Sequence, residues 1–204
     1  MFDLIQGGEM YNYLKKFGRF EVSECLFYAA EIILALKFLH SKKIIYRDVK
    51  PENILINQDG HIKLIDLGLA KELFDETTSS FCGTSEYVAP EIILGKNYDY
   101  SVDLWSLGIL IYEMLSGKTP FFSPNKKILF QKILENEPEF KHKSFSPQGI
   151  HLITRLLDKN PKTRITIQEV MKHQFFSSID FDKVLAKEAI PPFIPVQVML
   201  NRKV

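Results

Sequence analysis

The sequence predicts a mainly α-helical fold with short β-hairpins beside a polar cleft. Three observations carry this. Two long stretches, EVSECLFYAAEIILALKFLHSKKI at 21–44 and SVDLWSLGILIYEMLSG at 101–117, repeat apolar residues with helical spacing. Between them, KIIYRD at 43–48 and NILINQDGHIKLID at 53–66 are short β-branched runs. The end, AIPPFIPVQVML at 189–200, places three prolines within five residues, which favours an extended strap over a folded body.

The first helix has apolar residues at Leu26, Ala29, Ala30, Ile33, Leu34 and Leu36, with Ser23 placed to cap it. NQDG then supplies turn chemistry between ILI and HIKLI, so a hairpin is expected across 53–66. From Lys71 to Thr84 the chain turns polar, with Thr77, Thr78, Ser79 and Ser80 in succession, and reads as a mobile loop. The 101–117 helix is apolar nearly all round, which predicts a buried central helix stopped by Gly117. Further helices are expected at 125–135, 148–158 and 166–173. Regularity fails after HQFF, and a soft boundary falls near residue 177.

With 204 residues, 46% of them hydrophobic, the chain can fill one large core or two small ones. A net charge of +1 gives no bulk field for nucleic acid or an anionic membrane, so neither partner is expected. Cys25 and Cys82 lie far apart without metal-ligand spacing, which points to a reducing compartment and excludes a disulfide framework. Nowhere do eighteen apolar residues run together. Neither export nor membrane insertion is expected, and the expected location is cytoplasmic, with the nucleus as the alternative.

The chemistry concentrates in IIYRDVKPENILI at 44–56, where two apolar runs enclose a row of ionisable groups. Phosphoryl transfer requires a carboxylate to orient the attacking hydroxyl, a cation on the moving phosphate and oxygen ligands for magnesium. Asp48 can be the base, Lys50 the phosphate contact and Asn53 a neutral ligand. Asp66, at the end of the expected hairpin, can be the second ligand, with Gly68 permitting a sharp turn.

Read together, these residues resemble a eukaryotic protein kinase. YRDVKPEN is similar to the catalytic loop, DLG to the metal-binding triplet, CGTSEYVAPE to the end of the activation segment, DLWSLG to the start of the central helix and NPKTR to the late arginine motif. Tyr46 in the catalytic loop, FCGTSEY and PPFIP narrow the resemblance to the AGC group. Lys50, two residues after Asp48, is the serine/threonine form. Two positions depart from the pattern: Leu67 stands for the usual phenylalanine, expected to keep an apolar plug, and Ser85 for a usual proline.

The resemblance implies roles position by position, with ATP and Mg2+ as cofactors. Asp48 matches the catalytic base, Lys50 the phosphate-contacting lysine, Thr84 the threonine bonded to both, and Asn53 and Asp66 the magnesium ligands. Asp3, Ile5, Glu9, Glu52 and Leu55 match positions around the nucleotide. Glu91 and Arg164 match a structural ion pair, and Asp103 a carboxylate holding the catalytic-loop backbone. Arg47 beside Asp48 implies control by phosphorylation, with Ser80 the acceptor for an activating kinase and Ser79 and Thr78 as alternatives.

Glu9, Glu52 and Glu113 match positions where basophilic AGC kinases receive arginines upstream of the target Ser or Thr, which implies protein substrates with basic residues there. Glu113 is the most informative, because a carboxylate within GILIYEML requires a partner or a function. The five histidines show no metal spacing and read as packed or surface residues.

The resemblance covers the large lobe and its tail. The expected domains are residues 1–176, a large lobe starting at the hinge, and 177–204, an extended AGC-type tail. No G-x-G stands anywhere, and MFDLIQGGEMYNYL resembles the hinge between the lobes, so the small β-lobe is expected to be absent from this chain. The strap is then expected to lack its usual docking surface, with VQVMLNRKV poorly ordered. Three readings stay open: an incomplete serine/threonine kinase, a non-catalytic binding module, and one half of a split enzyme.

Overall fold

The computed structural model describes residues 7–73 and 77–195. Among them the architecture is mainly helical with two small antiparallel sheets, as the patterning predicts. Helix α1 (Met10–Phe17) leads into α2 (Val22–Ser41), the long amphipathic segment. Its cap is not Ser23 but Glu21, which forms a reciprocal capping box with Glu24, each side chain meeting the other's backbone N–H.

Strand β1 (Ile44–Ile45) enters the polar stretch, a 3₁₀ turn covers Pro51–Asn53, and β2 (Ile54–Ile56) and β3 (Ile62–Leu64) form the expected hairpin, with Ile54 opposite Leu64 and Ile56 opposite Ile62. β1 finds a partner that local patterning does not announce. It pairs antiparallel with β4 (Lys71–Glu72), inside the stretch expected to be a mobile loop. Leu73 N–H continues the pairing onto the Lys43 carbonyl at 2.8 Å. Thr78, also in that stretch, is buried and bridges Tyr98 by both backbone bonds.

After the short α3 (Pro90–Ile93) comes α4 (Ser101–Ser116), buried from Val102 to Tyr112 and again at Met114 and Leu115. It packs on α2 and on α6 (Pro147–Leu156), so it is the axis of the core. Gly117 ends it at φ 79°, and a Cβ there would stand 2.1 Å from the Gly18 carbonyl oxygen, so no side chain fits. Helices α5 (Lys126–Glu135) and α7 (Ile167–Met171) complete the body. No helix among the described residues is long and apolar enough to cross a membrane.

The tail departs from the extended expectation. Phe181–Leu185 form α8, capped by Asp180, whose carboxylate accepts two backbone N–H groups. The strap beyond it also docks on the lobe: the Phe193 ring lies 5.3 Å from Tyr13, 6.3 Å from Phe20 and 5.6 Å from Tyr28. The surface that receives it is built from α1, α2 and the turn between them, within this chain. Val196 to Val204, expected to be poorly ordered, lie outside the described residues.

Candidate active site

The loop between β1 and β2, which resembles the catalytic loop, is suspended from one carboxylate. Asp103, in the first turn of α4 and fully buried, accepts the Tyr46 N–H at 2.9 Å and the Arg47 N–H at 2.8 Å. His40 Nε2 lies 2.8 Å from the same side chain. Arg47 has φ 68°, a conformation an arginine keeps only where its surroundings over-determine it. The two successive N–H groups that Asp103 accepts do so. The Tyr46 hydroxyl donates to the Ile65 carbonyl, tying the loop to the far end of the hairpin.

Inside this frame the ionisable groups converge. Asp48 is buried, and its Oδ2 accepts from Lys50 Nζ at 2.8 Å and Asn53 Nδ2 at 2.7 Å. Its Oδ1 accepts from the Thr84 hydroxyl at 2.9 Å, and Thr84 in turn accepts from Lys50 Nζ at 2.8 Å. Carboxylate, ammonium and hydroxyl therefore form a closed ring drawn from two segments far apart in the chain. Asn53 also donates to the Asp48 carbonyl at 3.0 Å, so its amide nitrogen is committed inward.

Asp66 sits just past β3 with φ 61° and is exposed. Its Oδ1 accepts the Gly68 N–H at 2.9 Å, while Ile65 N–H bonds the Asn53 carbonyl at 2.9 Å and keeps the two candidate ligands side by side along the ladder. Leu67, expected to be an apolar plug, is 60% exposed, because no apolar surface among the described residues covers this edge. Glu9 forms a backbone bridge with Leu55, which brings two predicted nucleotide contacts together. Asp3 and Ile5 lie outside the described residues.

The stretch around Ser80 that resembles an activation segment is anchored through Tyr98. Arg47 donates to the Leu69 carbonyl at 2.5 Å and to the Tyr98 hydroxyl at 3.1 Å, both neutral acceptors. The Tyr98 hydroxyl donates in turn to the Ser80 carbonyl at 2.6 Å. The Ser80 hydroxyl is 3.3 Å from that of Thr78, which accepts from Lys71 Nζ at 2.7 Å. Two cations are thus linked to Ser80 through a single intervening hydroxyl each, Arg47 through Tyr98 to its carbonyl and Lys71 through Thr78 to its side chain.

A second cluster is acidic. Glu113 bonds the Tyr87 hydroxyl, and burial pushes its carboxyl up to about 7, with Glu52 and Glu86 adding like charge and the Tyr87 bond opposing. One oxygen of Glu52 is buried with no hydrogen-bond partner among the described residues. Glu86 accepts from the Thr119 hydroxyl at 2.5 Å. Glu113 thus lies within electrostatic reach of two further carboxylates, one of them with an unmet oxygen. Behind it Glu91 and Arg164 make a bidentate pair at 2.7 and 3.0 Å.

Sequence reasoning missed Lys71, Tyr98, Glu86 and Tyr87. Glu86 and Tyr87 stand within FCGTSEY, next to residues that carry the resemblance, and could have been singled out there. Lys71 and Tyr98 carry no local signal, since their roles depend on chain crossings distant in sequence.

Compared with known proteins, residues 1–176 match the protein kinase domain family. The chain is 45% identical over 201 residues to the cAMP-dependent protein kinase catalytic subunit PRKX of Homo sapiens, covering 96% of this chain and 55% of that one. It is 46% identical over 201 residues to the serine/threonine-protein kinase sck2 of Schizosaccharomyces pombe, covering 95% and 31%. Against the RAC-beta serine/threonine-protein kinase of Homo sapiens the identity is 42% over 196 residues, covering 93% and 40%. The chain spans about a third to about half the length of these relatives. With the ordered motifs and the folded lobe that presents them, this match means that the chain belongs to the protein kinase family, in its AGC group of serine/threonine kinases.

Proposed function

We propose that this lobe carries the catalytic and substrate-binding side of a serine/threonine kinase that transfers the γ-phosphoryl group of ATP to Ser or Thr of arginine-containing proteins. The observation that carries it is the closed ring of Asp48, Lys50 and Thr84 with Asn53 bound to its base. Asp48 holds an acceptor oxygen for the proton of an attacking hydroxyl, Thr84 orients that carboxylate, and Lys50 brings positive charge to the transferring group. Asn53 and Asp66 fit a magnesium ion. The amide nitrogen of Asn53 is committed to Asp48, which leaves its oxygen as the donor a hard cation takes, and Asp66 adds a carboxylate beside it. Bound with nucleotide, that ion supplies charge neutralisation on the phosphates.

The acidic cluster supports the substrate preference. An arginine presented to Glu52, Glu113 and Glu86 would meet the unpartnered oxygen of Glu52 and offset the like charge that bears on Glu113. Phosphate on Ser80, added by an activating kinase, would meet Lys71 and Arg47 and replace neutral partners with charge-assisted ones.

The test is transfer from Mg2+-ATP to a serine peptide with upstream arginines, with the arginine-free peptide and Asp66→Asn as controls. Transfer that requires both arginine and Asp66 supports the proposal. Nucleotide binding without transfer points to a lobe that needs a second chain, and absence of nucleotide binding to a binding module.

A pH dependence follows from Glu113. The arginine site binds best when this carboxyl is ionised, so peptide affinity is expected to strengthen by about tenfold from pH 6 to pH 8, through its value of about 7. In Glu113→Gln the profile is expected to flatten. The effect on the fold has the opposite sign. Because the folded state raises this carboxyl above its ordinary 4.5, Glu113 favours the fold at low pH, and that contribution is lost as pH rises from 4.5 through 7. Isothermal titration with the peptide at several pH values checks the first effect.

A further inference from the structure

The β2–β3 hairpin has three residues on each strand, too few to hold an orientation of its own in water. Its far end displays Asn53 and Asp66, so whatever fixes the ribbon also fixes that pair. The turn is fastened from two sides. From α2, Glu31 places Oε1 2.6 Å from His61 Nδ1, and its Oε2 accepts the Ile62 N–H at 2.9 Å. Both side chains are buried, at 9% and 7% exposure, and the His61 ring lies 5.8 Å from Phe27.

From the strap, Lys187 reaches Asp59 at 3.3 Å. Pro191 and Phe193 cover Gly60 so closely that a Cβ at this glycine, whose φ is 84°, would stand 2.6 Å from the Phe193 carbonyl oxygen and from Pro191 Cβ.

A carboxylate in the body of a helix costs free energy to bury unless its oxygens are bonded. Both oxygens of Glu31 are bonded, and both to the hairpin turn. A residue serving only to fill space between α2 and β3 would be apolar. Glu31 instead fastens the first residue of β3 by its backbone, and the ladder from Ile56–Ile62 to Ile54–Leu64 carries that position to Asn53 and Asp66.

We infer that Glu31, acting through His61 and the Ile62 backbone, is a positioning residue for the metal-binding pair Asn53 and Asp66. This rests on the reading of those two residues as metal ligands. Both Glu31 oxygens are bonded to the turn end of the hairpin, so its effect falls on metal affinity rather than on the nucleotide itself.

The probe is Mn2+ with a non-hydrolysable ATP analogue, its binding followed by electron paramagnetic resonance, on the full chain. Glu31→Ala is expected to weaken Mn2+ affinity by about tenfold, the low end of what loss of an outer support costs. Glu31→Gln, whose amide oxygen can still accept the Ile62 N–H, is expected to stay close to wild type. Nucleotide affinity measured without metal is expected to be unchanged in both. His61→Phe keeps a ring against Phe27 while removing the Glu31 contact, and it supplies the measurement if Glu31→Ala fails to fold; it too is expected to weaken Mn2+.

Unchanged Mn2+ affinity in a folded Glu31→Ala or His61→Phe overturns the inference. So does an equal loss of metal-free nucleotide affinity, which marks a general structural role. If wild type itself takes up no Mn2+ with the nucleotide, the metal-ligand reading fails, and the inference falls with it.

Discussion

Asp48→Asn is expected to lower peptide phosphorylation by about 10²- to 10⁴-fold, the range that a positioned general base contributes. The change is small in volume and severe in hydrogen bonding. Oδ2 of Asp48 accepts from two donors, Lys50 Nζ and Asn53 Nδ2. An asparagine that puts its nitrogen there faces both with a third donor. One that turns the other way faces the Thr84 hydroxyl with its nitrogen and forces that proton elsewhere. Either arrangement opens the ring, and neither offers a carboxylate to a substrate hydroxyl.

The fold should survive the change, because the loop backbone hangs from Asp103 and not from Asp48. Arginine-peptide affinity should also persist, since Glu52 and Glu113 are untouched. The measurements are the initial rate of transfer, the peptide affinity and the melting temperature of the same preparation. A rate within about tenfold of wild type would place Asp48 away from the reacting atoms and overturn its role as base.

The opposite case is a residue expected to act through stability alone, and the contrast shows which kinds of structure could be read from the chain. Helix α4 and the hairpin were legible because their signals are local: a continuous apolar run stopped by a glycine, and β-branched runs about an NQDG turn. The convergence of Asp48, Lys50 and Asn53 was legible because all three fall within seven consecutive residues. The strand at Lys71–Glu72 was not, since two exposed polar residues carry no strand pattern and pair only because β1 presents an open edge. Tyr98 was hidden for a related reason. Its hydroxyl matters only after Arg47 and Ser80 have been brought to it from distant parts of the chain. The cap of α2 was misread because Ser23 is the stronger capping residue by preference, while the reciprocal Glu21–Glu24 box meets two backbone donors and prevails.

Arg164→Met is expected to destabilise the lobe by about 3–5 kcal/mol without touching any reacting group. The guanidinium is fully buried between Glu91, the Asp158 and Ser101 carbonyls and the Trp105 ring, whose centroid lies 5.3 Å away. It fastens α3, which follows the activation segment, to the start of α4, from which the catalytic loop is hung. Removing it leaves the Glu91 carboxylate buried and unpaired. At this chain length such a loss corresponds to a fall in melting temperature of about 6–20 °C.

Glu91→Leu is expected to cost a similar amount, but the two variants should answer acid differently. In Arg164→Met the stranded carboxylate can take a proton, so lowering the pH toward 5 should recover part of the stability. In Glu91→Leu the stranded guanidinium cannot lose its charge at any accessible pH, so no recovery on raising the pH is expected. The double variant Glu91→Leu with Arg164→Met should lose much less than the sum of the two single losses, because neither charge is left alone. Denaturant unfolding of all three at pH 5 and pH 8 tests the set. Single variants that lose less than about 1 kcal/mol would mean that the pair behaves as a surface ion pair despite its burial.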